Sequence, residues 1–218
     1  MRDTAYLPRA PYRDHWLDNV TRDQVLDSHS LLQGEFLFIW INKTAGLSVT
    51  RALGIDRKRY NHFTASELRE IFGASEFDSM FKFGFVRNPW DKVVSEFRFR
   101  QWTCQNELTA ESSFSEWVRS AYVEKDPMYC DWEKMFLPQL EWLTDETGRF
   151  AVDYVGRFES LQDDFDAICD ALQLPRMQLG HENKCGRRTD YRSYFDSETK
   201  AIVDKIFEAD IEYFGYEF

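Results

Sequence analysis

No run of apolar residues in the chain approaches the ~20 that a membrane-spanning helix requires; the longest is Phe36 to Ile41. Nor does the opening stretch Met1-Arg2-Asp3-Thr4-Ala5-Tyr6 carry the apolar centre of a signal peptide, so the sequence reads as that of a soluble, cytoplasmic protein. Cysteine is scarce: Cys104, Cys130, Cys169 and Cys185 lie far apart with no Cys-x-x-Cys pair. That excludes a disulfide framework and a structural zinc site, and reduced thiols are expected. Positive charge is also short. With 27 Lys and Arg against 38 Asp and Glu, the net charge of -11 has the wrong sign for bulk attraction to nucleic acid or anionic lipid. An anionic ligand must therefore be held by a local basic pocket. Internal repeats and low-complexity tracts are missing too.

What the chain does have is core material. Hydrophobic residues make up 43% and charged residues 30% of 218 positions, which specifies a folded globular protein rather than a disordered one. At about 150 residues per domain, one sizeable α/β domain is expected. Residues 1–34 are polar, carry Pro8 and Pro11, and show no sustained period, so they read as an extension ahead of a single domain over 35–218.

Phe36 to Ile41 is apolar at every position, which suits a strand covered on both faces in the centre of a parallel sheet. A polar loop follows, and Val49 to Leu53 reads as a short helix ended by Gly54. Thr64-Ala65-Ser66-Glu67 fits a capping box opening a helix to Phe72. Alternation of Phe81, Phe83 and Phe85 with Lys82 and Gly84 marks a second strand. Asn88-Pro89 then supplies an N-cap and a first-turn proline for a helix burying Trp90, Val93, Val94 and Phe97.

Residues 98–138, rich in aromatics and acids, read as an insertion shaping a substrate cleft, with one helix from Phe114 to Tyr122 opened by Ser113. A third strand is expected at 152–155, a helix capped by Ser160 running to Leu172 with Cys169 in its core face, and a last helix over 197–213. Strands alternating with helices predict a three-layer α/β/α domain around a central parallel sheet. Ligands of such sheets bind beyond the carboxyl ends of the strands. The loops 42–48 and 87–89 therefore belong at a binding crevice.

Both loops have anion-binding chemistry. Lys43-Thr44-Ala45-Gly46-Leu47-Ser48, between a buried strand and a helix, combines backbone N–H groups at a helix N-terminus with a lysine and two hydroxyls. It is neither Gly-x-x-x-x-Gly-Lys-[Ser/Thr] nor Gly-x-Gly-x-x-Gly, since the lysine precedes the glycine. In the second loop, Arg87 sits at the end of a strand and Ser95 two turns along the next helix, with Asp91 and Arg98 on the same flank. An arginine fork plus a hydroxyl suits a second phosphate.

With these residues in place the chain resembles the sulfotransferases that use 3'-phosphoadenosine-5'-phosphosulfate (PAPS), particularly the branch of carbohydrate O-sulfotransferases and their bacterial relatives. Residues 38–48 resemble the 5'-phosphosulfate loop, usually Pro-Lys-Thr-Ala-Gly-Thr-Ser, and 83–95 the 3'-phosphate block. Residues 155–165 resemble a third family stretch, and 183–195 with 214–218 the C-terminal segment. The resemblance implies a P-loop-like nucleotide-binding fold and sulfuryl transfer to a hydroxyl, less readily an amine, of a carbohydrate or small metabolite.

It implies that Lys43, with Thr44, Ala45, Gly46, Leu47 and Ser48, holds the 5'-phosphosulfate and that Arg87 and Ser95 hold the 3'-phosphate. Lys184, Arg187 and Arg188 close over the nucleotide in the same reading, and 3'-phosphoadenosine-5'-phosphate (PAP) is the product. Three positions depart from the family pattern: Asn42 for proline, Leu47 for a hydroxyl residue, and Cys185 where relatives carry serine.

In-line transfer to a hydroxyl needs a general base. His62, between the two phosphate loops, is the candidate and Glu159 the reserve, although Glu159 equally suits an ion pair with Arg157. His181 and Cys185 stand four apart without a second ligand pair, so no metal is expected. Phe99, Trp102, Trp117, Tyr122, Tyr129 and Trp132 are candidates for an acceptor pocket, or for plain core. Two other readings stand beside the enzyme: a catalytically inactive nucleotide- or partner-binding module on the same fold, and a nucleotide-dependent kinase. No nucleic-acid or membrane partner is implied.

Overall fold

The structure is a computed structural model that describes residues 21–27, 36–56, 62–180 and 190–218. In chain order its helices and strands are α1 (Arg22–Asp27), β1 (Phe36–Ile39), α2 (Gly46–Ala52), α3 (Ala65–Phe72), α4 (Ala74–Ser79), β2 (Phe81–Val86), α5 (Pro89–Trp102), α6 (Phe114–Val118), α7 (Gln139–Leu143), β3 (Tyr154–Arg157), α8 (Leu161–Ala171), α9 (Ser197–Ile206) and α10 (Glu208–Phe214). The described residues divide into two compact units: one ends at Val86 and resumes from Gln139 to Gly180, the other comprises Arg87–Pro138 and 190–218.

The first unit holds a three-stranded parallel sheet in the order β1-β2-β3, with Phe36 opposite Phe81 and Phe83 opposite Tyr154. This is a mixed α/β architecture. All four residues of β1 are buried, as an uninterrupted apolar run requires. Among the described residues, however, β2 and not β1 is the middle strand. β1 also stops at Ile39 and not Ile41, because the Ile41 amide turns back to donate to the Ile39 carbonyl at 3.1 Å and takes Trp40 out of the ladder.

β3 begins two residues later than its sequence pattern predicts. Asp153 is occupied at the ladder's edge, where its carboxylate accepts from the Lys82 amide at 2.8 Å and from Lys82 Nζ at 2.9 Å. The Thr64 box forms in full, with Thr64 Oγ1 accepting from the Glu67 amide and Glu67 Oε2 accepting from the Thr64 amide. Ser160 precedes α8, but its hydroxyl donates to Asp164 at 2.6 Å instead of capping a backbone N–H. Cys169 lies in the core face of α8 and is fully buried.

The second unit is built on α5. Asn88 Oδ1 accepts from the Asp91 amide, Pro89 opens the helix, and Trp90, Val93, Val94 and Phe97 are all buried, as the sequence predicts. The helix opened by Ser113 continues past Val118 as a π-helical turn, Arg119–Glu124. The expected single last helix is two, because the chain breaks at Phe207 (φ -102°, ψ 20°), whose fully buried ring packs edge-on against Tyr122. Inside this unit Arg100 donates to Glu96 at 2.8 Å, pairs with Asp131 at 2.9 Å and lies over the Phe136 ring. Burial, with Glu96 nearby, pushes the Tyr122 hydroxyl well above its usual range.

Candidate functional site

The loop that leaves β1 is shaped by backbone conformations that side chains seldom adopt. Lys43 and Ala45 both have positive φ, 66° and 68°, so the chain coils tightly before α2 begins at Gly46. α2 thus starts three residues earlier than the apolar pattern predicts, and Gly46, Leu47 and Ser48 form its first turn. The amides of Ser48 and Val49 both return to the Ala45 carbonyl, at 2.9 and 3.2 Å. The amides left ahead of that first bond are those of Gly46 and Leu47. Lys43, three residues before Gly46, is half-buried.

Each hydroxyl of the loop donates its hydrogen to a carbonyl: Thr44 Oγ1, fully buried, to Ile41 at 2.9 Å, and Ser48 Oγ to Gly180 at 2.6 Å. Thr44 therefore shapes the turn, while Ser48 ties it to the segment that follows α8. Asn42, where the family pattern has proline, is buried at the start of the turn, and Leu47 is half-buried. A side chain at Gly46 has no room: an added Cβ would lie 1.8 Å from Trp40 Nε1.

His62 lies against the same residue. Its Nδ1 is 2.7 Å from the Trp40 carbonyl oxygen, its ring centroid is 4.6 Å from the Trp40 ring, and the fully buried Trp142 approaches edge-on at 6.2 Å. A carbonyl only accepts, so Nδ1 carries the hydrogen, and a neutral ring then presents its lone pair at Nε2. That is the nitrogen a general base requires.

At the end of β3, Asp164 collects three donors: Tyr154 Oη at 2.8 Å, the Arg157 amide at 2.7 Å and Ser160 Oγ at 2.6 Å. Burial raises the Asp164 carboxyl, but these hydrogen bonds outweigh it and hold the group below its usual range. Burial, aided by the bond to Asp164, pushes the Tyr154 hydroxyl up to about 12. Gly156 is confined here as well, since an added Cβ would come within 2.4 Å of Phe85 Cε1 and 3.0 Å of Asp164 Cβ. Glu159, in the short 3-10 turn between β3 and α8, is exposed. Sequence reading missed both Trp40 and Asp164, the first because it sits in an apolar run and the second because its partners come from β3 and from the turn that follows it.

In the second unit Arg87 is buried, with Nε and Nη2 held by Asp91 at 2.7 and 2.6 Å. Asn88 Nδ2 donates to Tyr191 Oη at 3.3 Å and to the Glu217 carbonyl at 3.0 Å, anchoring the turn to the C-terminal segment. Ser95 is half-buried on α5, and Arg98 Nη1 donates to Gln101 at 3.2 Å. Of the aromatics considered for an acceptor pocket, Trp117 and Tyr122 are core, Phe99, Tyr129 and Trp132 are half-buried, and Trp102 is 64% exposed. Lys184, Arg187 and Arg188, together with His181 and Cys185, lie outside the described residues. Among the described residues no group of three or more His, Cys, Asp or Glu could hold a metal ion, and no helix is long and apolar enough to cross a membrane.

A family model described as "Sulfotransferase family" matches residues 33–217. A curated protein of Archaeoglobus fulgidus, described as an uncharacterized protein, is 29% identical over 110 residues, which span 50% of this chain and 80% of that protein. No solved structure gave a significant match.

Proposed function

Because the chain belongs to the sulfotransferase family, we propose that it transfers the sulfuryl group of PAPS to a hydroxyl, less readily an amine, of a carbohydrate or small metabolite, and releases PAP. The observation that carries this reading is the loop after β1, a lysine and the two first amides of α2 on a coil closed around a glycine whose added Cβ would overlap Trp40. Backbone N–H groups at such a coil and helix start favour an anion, and a phosphosulfate is one. The proposal includes a three-layer α/β/α, P-loop-like domain over 35–218, with 1–34 as an extension and 98–138 shaping the acceptor cleft.

Within it Lys43 neutralises charge building on the bridging oxygen as the sulfur–oxygen bond to the nucleotide breaks, and Thr44 to Ser48 contribute mainly backbone donors. Leu47 has no hydroxyl to offer, and in the structure the Thr44 and Ser48 hydroxyl hydrogens go to carbonyls, which places the weight on the amides. Arg87 and Ser95 hold the 3'-phosphate, and Lys184, Arg187 and Arg188 close over the nucleotide. His62 Nε2 takes the acceptor's hydroxyl proton as the new oxygen–sulfur bond forms, with Glu159 as the reserve base. No residue role in this scheme calls for a metal.

Calorimetric titration with PAP, 5'-AMP, and ATP with and without magnesium tests the donor. PAP binding roughly tenfold or more tighter than 5'-AMP is expected from a charge-assisted arginine contact to the extra phosphate. A preference for magnesium-ATP would make the protein a kinase. Failure of every nucleotide to bind would leave a partner-binding module.

A further inference from the structure

Resting on the assignment of His62 as base and of 43–48 as the donor loop, the geometry points to Trp40 as the positioning residue that sets the tautomer of His62 and joins it to that loop. Trp40 stands where β1 leaves the sheet. The return of the Ile41 amide to Ile39 turns the Trp40 carbonyl out of the ladder, which is why it is available to a side chain at all. His62 Nδ1 takes it at 2.7 Å. The rings of the two residues lie 4.6 Å apart at 44°, and Trp142 closes the edge of the imidazole. The contact to the carbonyl places the hydrogen on Nδ1 and leaves Nε2 on the other side of the ring.

The other side of Trp40 belongs to the loop. Nε1, Cδ1 and Cε2 of the indole fill the space where a Gly46 Cβ would be, at 1.8, 2.1 and 2.6 Å. One side chain thus packs against the first residue of α2 and against the base at once. Any change in the loop that moves the indole is passed to His62, and the sequence position of Trp40, three residues before Lys43, makes it part of the loop's own scaffold.

The test is spectroscopic and needs no acceptor. In the full 15N-labelled chain, long-range proton–nitrogen spectra report the tautomer of each of the four histidines, and His62→Gln identifies the signal of interest. His62 in the wild type is expected as the Nδ1–H tautomer with a slowly exchanging Nδ1 proton. Gly46→Ala leaves both partners chemically intact and only displaces the indole. It is expected to raise the Nε2–H fraction about threefold or more, as is Trp40→Ala, which keeps the carbonyl and deletes the ring. Trp40→Phe, which keeps a flat ring, should restore the wild-type tautomer.

An Nε2–H tautomer in the wild type, or a His62 signal that neither Gly46→Ala nor Trp40→Ala alters, would overturn the inference. Should Trp40→Ala fail to fold, Gly46→Ala decides the matter alone. Loss of PAP binding with the tautomer effect intact would sink the donor assignment and leave the Trp40–His62 pairing standing. PAP binding with no tautomer effect would do the reverse.

Discussion

Arg87 and Asp91 lie one helical turn apart at the head of α5, and two guanidinium nitrogens, Nε and Nη2, converge on the same carboxylate oxygen at 2.7 and 2.6 Å. Both residues are buried, each 8% exposed. Removing one partner of such a pair leaves an uncompensated buried charge, which costs about 3–5 kcal/mol. Arg87→Ala is therefore expected to lower the melting temperature visibly, in addition to any loss of nucleotide binding. Arg87→Lys keeps the charge but not the fork, so it isolates function. It should reduce the preference for PAP over 5'-AMP about tenfold while costing less stability. An unchanged preference in Arg87→Lys would remove Arg87 from the 3'-phosphate site.

Gly46 makes a second prediction, on stability. Its backbone does not require glycine, yet a methyl group would overlap the Trp40 indole. Overpacking of this kind costs about 1–3 kcal/mol. Gly46→Ala should be destabilised by that order in urea titrations, and Trp40→Ala should cancel most of the additional cost in the double variant. Additive effects of the two substitutions would mean that the indole is not what excludes the methyl group.

Gly156 tests the end of β3 in the same way. An added Cβ meets Phe85 and Asp164, both held by packing or hydrogen bonds rather than free to swing. Gly156→Ala is expected to cost about 1–3 kcal/mol. A variant as stable as the wild type would show that β3 and α8 separate more easily than their contacts imply.

Asp164 carries a pH dependence whose sign is set by its lowered carboxyl. A carboxyl depressed in the folded state adds stability above its unfolded pKa of about 3.9 and loses it as pH falls through the folded value. Asp164→Asn should therefore be less stable than the wild type at neutral pH, and the gap should close as pH falls below about 4. Melting curves between neutral and acid pH measure this directly. A gap independent of pH would assign the loss to geometry alone.

Local signals explain most of what was legible along the chain. The Thr64 box, the Asn88-Pro89 start of α5 and the alternation of Phe81 to Val86 each state their structure within a few residues, and each is observed. Misplaced boundaries share a cause. β1 is cut short by a backbone turn at Ile41, β3 is delayed by the Asp153–Lys82 contacts, and the last helix is broken by burial of Phe207. None of these leaves a proline, a glycine or a change of period at the position where the element ends.

By itself, then, the order of residues determined the family, and it pointed to two loops with anion-binding chemistry and to His62 and Glu159 as candidates for the base, because these readings depend on residue type and spacing near one point in the chain. Only the tertiary structure decided how they are held. Trp40 joins Gly46 to His62, and Asp164 gathers Tyr154, Arg157 and Ser160. Directed contacts of this kind depend on where a carbonyl or a ring points once a strand has ended, a property of folded backbone that no period or motif encodes.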